Sequence, residues 1–223
     1  DDDCFCSVFN LTEISILPGN EIFTVIDNKY LLKKSQTKSQ NYDVLHFAVR
    51  DIENVIIPSY IKVINNHAFN KCNQLKSVTF KSNSSLELLG YYAFDNASGP
   101  RKIIFPPSLK KIGRSSFSDN ENVKYIEFLS KSVELGSNFV SGCDSLVSVS
   151  FPNADNIILD SSAIFNISKE TKFYVRRDAI ISGGGAKEFQ NMTIFIEEDR
   201  IPSKRNRRKI SDEKEEKSKK TST

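Results

Sequence analysis

One period governs this sequence. Ile57, Phe80, Phe105, Phe128, Phe151 and Tyr174 fall under one another at a spacing of roughly 23 residues, stretched slightly only between Phe80 and Phe105. Each of the first five closes a short phrase with apolar residues two apart, as in Asn54-Val55-Ile56-Ile57, Lys102-Ile103-Ile104-Phe105 and Ser148-Val149-Ser150-Phe151, which is the period of a strand. Pro58, Pro106 or Pro152 follows in three copies, removing a backbone donor and ending the strand. A second column runs through the other half of each unit. Ile64 to Phe69, Leu89 to Phe94 and Ile112 to Phe117 repeat one interval, and the next copy substitutes Leu135 and Val140. The following one, near Leu159, Ile164 and Phe165, reads as displaced by about one position. Past the Phe position sit Cys72, Ala97, Asn120 and Cys143 at a constant offset, and beyond them Leu75, Val123 and Leu146 restart the next strand.

A unit this short, with one strand, cannot bury its apolar side alone and must stack on its neighbours. Strands then pair in parallel about 4.8 Å apart, so six coils make a slab about 29 Å long. The aliphatic and Phe columns fill its interior, and they speak of stability rather than of partners.

The phrase apolar-x-x-Ile-x-x-x-Ala-Phe-x-x-Cys-x-x-Leu-x-x-Val-x-Phe is met in Ile61, Ile64, Ala68-Phe69, Cys72, Leu75, Val78 and Phe80. It resembles the BspA-like leucine-rich repeat family, over about residues 50–175. The resemblance implies an α/β leucine-rich-repeat solenoid, right-handed, with five to six coils of roughly 23–25 residues each. Mostly short parallel strands, joined by loops and short helical turns, would build it. It also implies a surface protein of the kind found in anaerobic protists and some bacteria, an adhesion or host-interaction module with no catalytic residues to carry over. Pro100 in a leucine position and Val140 in a phenylalanine position depart from the pattern.

The chain divides on this reading into an N-terminal cap with a hairpin and a degenerate first coil (1–50), the repeats (51–171), a C-terminal capping unit (172–201) and a disordered basic tail (202–223). The hairpin is read from two apolar runs, Glu21 to Ile26 and Tyr30 to Leu32, around Asp27-Asn28. Residues 33–43 read as an exposed loop. The tail carries nine Lys and Arg against four Asp and Glu, while the remainder carries 22 against 24, so the net charge of +3 is a slightly acidic body with a basic end. Lys204, Arg205, Arg207, Arg208 and Lys209 suit a nuclear-import signal, a contact to anionic lipid or nucleic acid, the flank of a membrane anchor, or a solubilising tail. The start at Asp1 and the single methionine, Met192, are expected of a processed or excised product.

Catalytic chemistry lacks its usual parts. Neither His46 nor His67 stands at triad or metal-ligand spacing from a Cys or carboxylate. Gly183-Gly184-Gly185-Ala186-Lys187 is followed by Glu188, so the phosphate-loop pattern fails and a flexible loop is expected. No catalytic residue, metal site or cofactor is therefore assigned. Cys72 and Cys143 lie three coils apart, about 14 Å by strand spacing, too far for a disulfide. The repeat pattern implies that both are buried thiols. Cys4 and Cys6 fit a loose metal contact, an intermolecular disulfide or a frayed end. Five Asn-x-Ser/Thr triplets, at Asn10, Asn83, Asn96, Asn166 and Asn191, lean toward secretion.

Partners are expected on the outward strand columns, where Ser77, Thr79, Lys102, Ile104, Tyr125 and Glu127 combine an aromatic, an aliphatic and both charges. The loop-rich opposite face, with Tyr91, Tyr92 and Arg114, is an equal rival. The ligand class is a protein or glycoconjugate. Nucleic acid is disfavoured because the body has no basic stripe with interleaved aromatics, and no apolar run is long enough for a membrane span. Two functions follow: a cell-surface or secreted interaction module, or a cytoplasmic leucine-rich-repeat scaffold docked through its basic tail.

Overall fold

A computed structural model describes residues 5 and 7–196. Strands β1 (Phe23–Ile26) and β2 (Tyr30–Lys33) form an antiparallel hairpin. Asp27 and Asn28 turn it, with φ of 54° and 53°, the left-handed region that short polar side chains tolerate. β3 (Val44–Ala48) pairs antiparallel with β2, and from there every pairing is parallel. Each coil then lays down two strands: β4 (Asn54–Ile57) and β5 (Val63–Ile64), β6 (Ser77–Phe80) and β7 (Leu88–Leu89), β8 (Lys102–Phe105) and β9 (Lys111–Ile112). β10 (Tyr125–Phe128) and β11 (Ser132–Leu135), β12 (Ser148–Phe151) and β13 (Asn156–Leu159), and β14 (Lys172–Arg176) and β15 (Ile180–Gly183) continue the stack. Helix α1 (Ala186–Asn191) and β16 (Thr193–Ile196) end the described chain.

The product is a β-solenoid of about seven turns, against the five to six expected. It also departs from the α/β expectation. Among the described residues the only helix is the short α1, and none falls in a repeat. The aliphatic columns read as loop or helical turn instead form β5, β7, β9, β11, β13 and β15, which extend the hairpin into a nine-stranded sheet. The two-residue runs of β5, β7 and β9 cannot declare a period, and pairing with the coils on either side makes each of them a strand.

The second side holds β4-β6 as a two-stranded sheet and β8-β10-β12-β14-β16 as a five-stranded one. The break between them coincides with the one stretched spacing, Phe80 to Phe105. Left-handed residues cluster there at Asn96, Ser98 and Gly99, with φ of 50°, 54° and 65°.

The third side is made of turns, and its amides are bonded from coil to coil. The N–H groups of His67, Phe69 and Lys71 donate to the carbonyls of Tyr91, Ala93 and Asp95 at 3.0, 2.7 and 2.9 Å, and Tyr92, Phe94 and Asn96 repeat the pattern toward Arg114, Ser116 and Ser118. His67, Tyr92, Ser115 and Asn138 form one column of positive φ, and Lys71, Asn96, Asp119, Gly142 and Asn166 a second. These left-handed positions turn the peptide planes so that alternate amides point along the stack.

Inside, rings stack at the coil repeat. Phe80, Phe105, Phe128 and Phe151 are separated by 5.6, 5.1 and 4.9 Å, and Phe69, Phe94 and Phe117 by 4.7 and 5.0 Å. Val140 fills its phenylalanine position fully buried, while Phe139 takes the neighbouring alanine position and meets Phe128 edge-on. In the next coil Ile164 is buried in register and Phe165 is 64% exposed, so the displacement read from the sequence is absent. Phe189 of α1 plugs the far end against Phe173 and Phe151. At the near end Arg50 is buried without a carboxylate partner among the described residues. Its guanidinium donates to the carbonyls of Val8, Ala68, Phe5 and His67 and lies 4.2 Å from the Phe47 ring, tying the N-terminal segment to the turn side of the next coil.

Truncating a ring in the middle of a stack leaves a cavity that neighbours bonded on three sides cannot close. Phe128→Ala is expected to cost about 3–5 kcal/mol, read as a shift in the denaturant midpoint.

Candidate functional site

The pleat sends Val55, Val78, Ile103, Ile126 and Val149 inward and leaves Ile56, Thr79, Ile104 and Tyr125 facing solvent. In the five-stranded sheet Lys102, Tyr125 and Ser148 are in register, as are Ile104, Glu127 and Ser150. Lys102 reaches across to Glu127 at 3.1 Å, so the two charges neutralise each other beside the exposed Ile104 and Tyr125. Ser77 and Thr79 lie on the other side of the sheet break, and Ser77 donates to Asn54 at 2.7 Å within its own sheet. The strand residues singled out in the sequence therefore fall into two groups, with Lys102, Ile104, Tyr125 and Glu127 forming the continuous one.

The rival face is concave. Tyr91, Tyr92, Arg114, Lys111, Glu134 and Asp160 line an open groove of about 430 Å³. The column that follows each buried aliphatic runs Asn65, Gly90, Gly113, Gly136 and Asp160. A Cβ on Gly113 would sit 2.7 Å from the Gly90 carbonyl carbon, and one on Gly136 2.8 Å from the Arg114 nitrogen, so only glycine lets these corners come together. Side chains on either side of the glycine column stand up as walls. Tyr92 is held by stacking on His67 at 5.2 Å, and Lys111 is ion-paired with Glu134. The glycine column is the signal that sequence reading missed: its even spacing was visible, but not that it lets successive coils close up beside the groove.

The remaining predicted residues are dispersed. Asn10, Asn83, Asn96, Asn166 and Asn191 are all exposed. His46 is buried with its Nδ1 2.8 Å from Asn65 Nδ2, which places it in packing. Cys72 and Cys143 are free and buried, and each thiol donates to a carbonyl of the preceding coil, Val49 at 3.7 Å and Phe117 at 3.0 Å. Asn120 does the same toward Phe94 at 2.6 Å, so three of the four residues in this column satisfy a carbonyl of the preceding coil, while Ala97 only fills the space. Burial pushes the Cys72 thiol up to about 11, with Arg50 opposing, and the Cys143 thiol up to about 12. Cys4, Cys6 and the basic tail, including Lys204, Arg205, Arg207, Arg208 and Lys209, lie outside the described residues. No helix among the described residues is long and apolar enough to cross a membrane.

A stack of two-stranded coils with an inward Phe column and an outward strand face defines a leucine-rich-repeat solenoid, a class that suggests protein interaction. The BspA type leucine rich repeat region matches residues 45–171 in six copies, and the chain belongs to that family. Solved structures share the fold. The pneumococcal vaccine antigen PcpA superposes with a TM-score of 0.61 at 21% identity, covering 84% of this chain and 49% of that one. A leucine-rich repeat protein from Eubacterium ventriosum gives 0.61 at 20% identity over 76% and 42%, and a leucine rich cell surface protein from Faecalibacterium prausnitzii 0.50 at 15% over 82% and 56%. The chain thus spans about half the length of these structures. Comparison with curated proteins finds no match.

Two measurements follow. Cys72 and Cys143 are expected to resist a disulfide-exchange reagent at pH 8 in the folded protein and to react once denaturant unfolds it, since only the thiolate attacks. Burial, together with Asp119 nearby, raises the Asp95 carboxyl to about 6 from 3.8, although Asn70 donates to it at 2.8 Å. The folded state thus holds this proton more tightly, and its contribution to stability is complete below pH 3.8 and lost as the pH rises through about 6. Asp95→Asn is expected to remove that loss, so chemical denaturation should show the variant gaining on the parent between pH 4 and 6.

Proposed function

We propose that this chain is a non-enzymatic, surface-exposed or secreted adhesion module that binds a protein partner through the strand face centred on Lys102, Ile104, Tyr125 and Glu127. The observation that carries this reading is an exposed aromatic and an exposed aliphatic beside a self-neutralised ion pair, on a rigid sheet that needs no rearrangement to bind. Ser77 and Thr79 extend the face across the sheet break. Five exposed asparagines in glycosylation triplets support the compartment, as does the cell-surface description carried by the Faecalibacterium relative. In this reading the hairpin and the unit over 172–201 cap the stack, and residues 202–223 form a basic tail. The cytoplasmic scaffold is the alternative if the tail proves to be the docking element.

The test is adhesion of the purified chain to intact epithelial cells and immobilised matrix proteins, read by flow cytometry and surface plasmon resonance. A double Ile104→Ala, Tyr125→Ala variant should lose at least tenfold in binding with an unchanged melting temperature, because truncation of interface anchors commonly costs about 2 kcal/mol or more, roughly thirtyfold. Full binding by that variant, or none by the parent chain, would reject the reading.

A further inference from the structure

The geometry points to a second binding site, independent of the strand face: the trench over Gly113 and Gly136 is a site for a neutral oligosaccharide of two to three sugar units. Its dimensions come from the repeat. The trench runs along the stack from Tyr91 and Tyr92, past Gly113 and Gly136, to Asp160, three coil steps away. Three coils make a length of about 14 Å, which suits two to three pyranose rings laid end to end. An enclosed pocket would select one small molecule; an open trench accepts a section of a longer chain.

The lining matches sugar chemistry on both of its faces. A pyranose has one face of polarised C–H bonds and a rim of hydroxyl groups. Tyr91 is 54% exposed on the trench wall, offering a ring whose negative π-face attracts such C–H bonds. Tyr92 forms the neighbouring wall, fixed by its stack on His67. Opposite and beyond stand Arg114, Glu134 and Asp160, planar groups whose paired donors or acceptors engage vicinal hydroxyls.

Charge balance selects a neutral ligand. Lys111 is already paired with Glu134, and Arg114 shares the trench with Asp160, so neither a polyanion nor a polycation finds an unmatched field. An extended peptide is also a poor occupant. The lining has no deep apolar pocket for an anchoring side chain, and the backbone amides of the floor are occupied, with Gly90, Gly113 and Gly136 donating to Ile64, Leu89 and Ile112 at 2.8, 2.7 and 2.9 Å. The rigidity of that floor means the site is formed before ligand arrives.

The experiment is a microarray of neutral, sialylated and sulfated oligosaccharides probed with the full chain, followed by calorimetric titration of the best neutral di- or trisaccharide. The expected result is binding to neutral glycans that weakens at least tenfold in Tyr91→Ala, recovers in Tyr91→Trp, weakens in Arg114→Ala and is untouched by Ile104→Ala. Tyr91 and Arg114 are exposed, and unchanged melting temperatures will certify that the variants fold. Binding confined to sialylated or sulfated glycans, binding that survives Tyr91→Ala, or no glycan binding at all overturns the proposal. A trench-bound peptide found instead would do the same. Loss of cell adhesion in the strand-face variant bears on the other site only.

Discussion

Every coil must match the height of its neighbours on three sides at once, because each side is hydrogen-bonded from coil to coil: two sides by parallel strand ladders and the third by amides such as that of Phe69, 2.7 Å from the Ala93 carbonyl. A strand repeat of about 4.8 Å is longer than aromatic van der Waals thickness, so rings placed in one column slide sideways and keep contact by offset stacking. The phenylalanine separations of 4.7 to 5.1 Å express that compromise. The inter-coil height is therefore the quantity to which glycine corners, left-handed turns and buried donors are all fitted.

Departures from the period show the same constraint under load. Where one coil is longer, between Phe80 and Phe105, the strand ladder opens and the chain passes through three closely spaced left-handed residues, Asn96, Ser98 and Gly99, before pairing resumes. The ring column continues across the gap at 5.6 Å, so the core remains continuous where the sheet is not. At the two ends, where no neighbouring coil exists, different groups finish the job. Arg50 ties the carbonyls of Val8 and Phe5 to those of Ala68 and His67, and Phe189 covers the last ring. Ion pairs one coil apart, such as Lys110 with Glu87 and Lys76 with Glu53, decorate the exterior. Being exposed, each contributes no more than about 0.2–1 kcal/mol.

Function inherits its geometry from this framework. One surface presents alternate strand residues; the other is a trench at the corners, where glycines let successive coil backbones come together and Tyr91, Tyr92 and Arg114 stand beside them. A rigid strand face suits a macromolecular surface, while a trench three coils long suits a narrow, linear ligand. Both are available on the same stack without interfering, since strand face and trench belong to different sides of the coil.

Much of this was legible in the residues. The regular period, the inward Val and Phe columns, the strand ends at Pro58, Pro106 and Pro152, and the solvent-facing positions of Ile104 and Tyr125 follow from a side-chain alternation of two and a fixed repeat. Other features were invisible because they depend on what lies one coil away. The second strands β5, β7 and β9, two residues each, are too short to signal themselves. Arg50 reads as an ordinary surface charge until the carbonyls of Ala68 and His67 are placed beside it, and Gly113 reads as a loop residue until its missing Cβ is set 2.7 Å from Gly90. The sequence by itself determined that the chain must stack and which side chains face inward. Only the tertiary structure decided that the stack is all β, where its ladder breaks, and which exposed residues share a groove, because those are relations between successive coils rather than properties of any one of them.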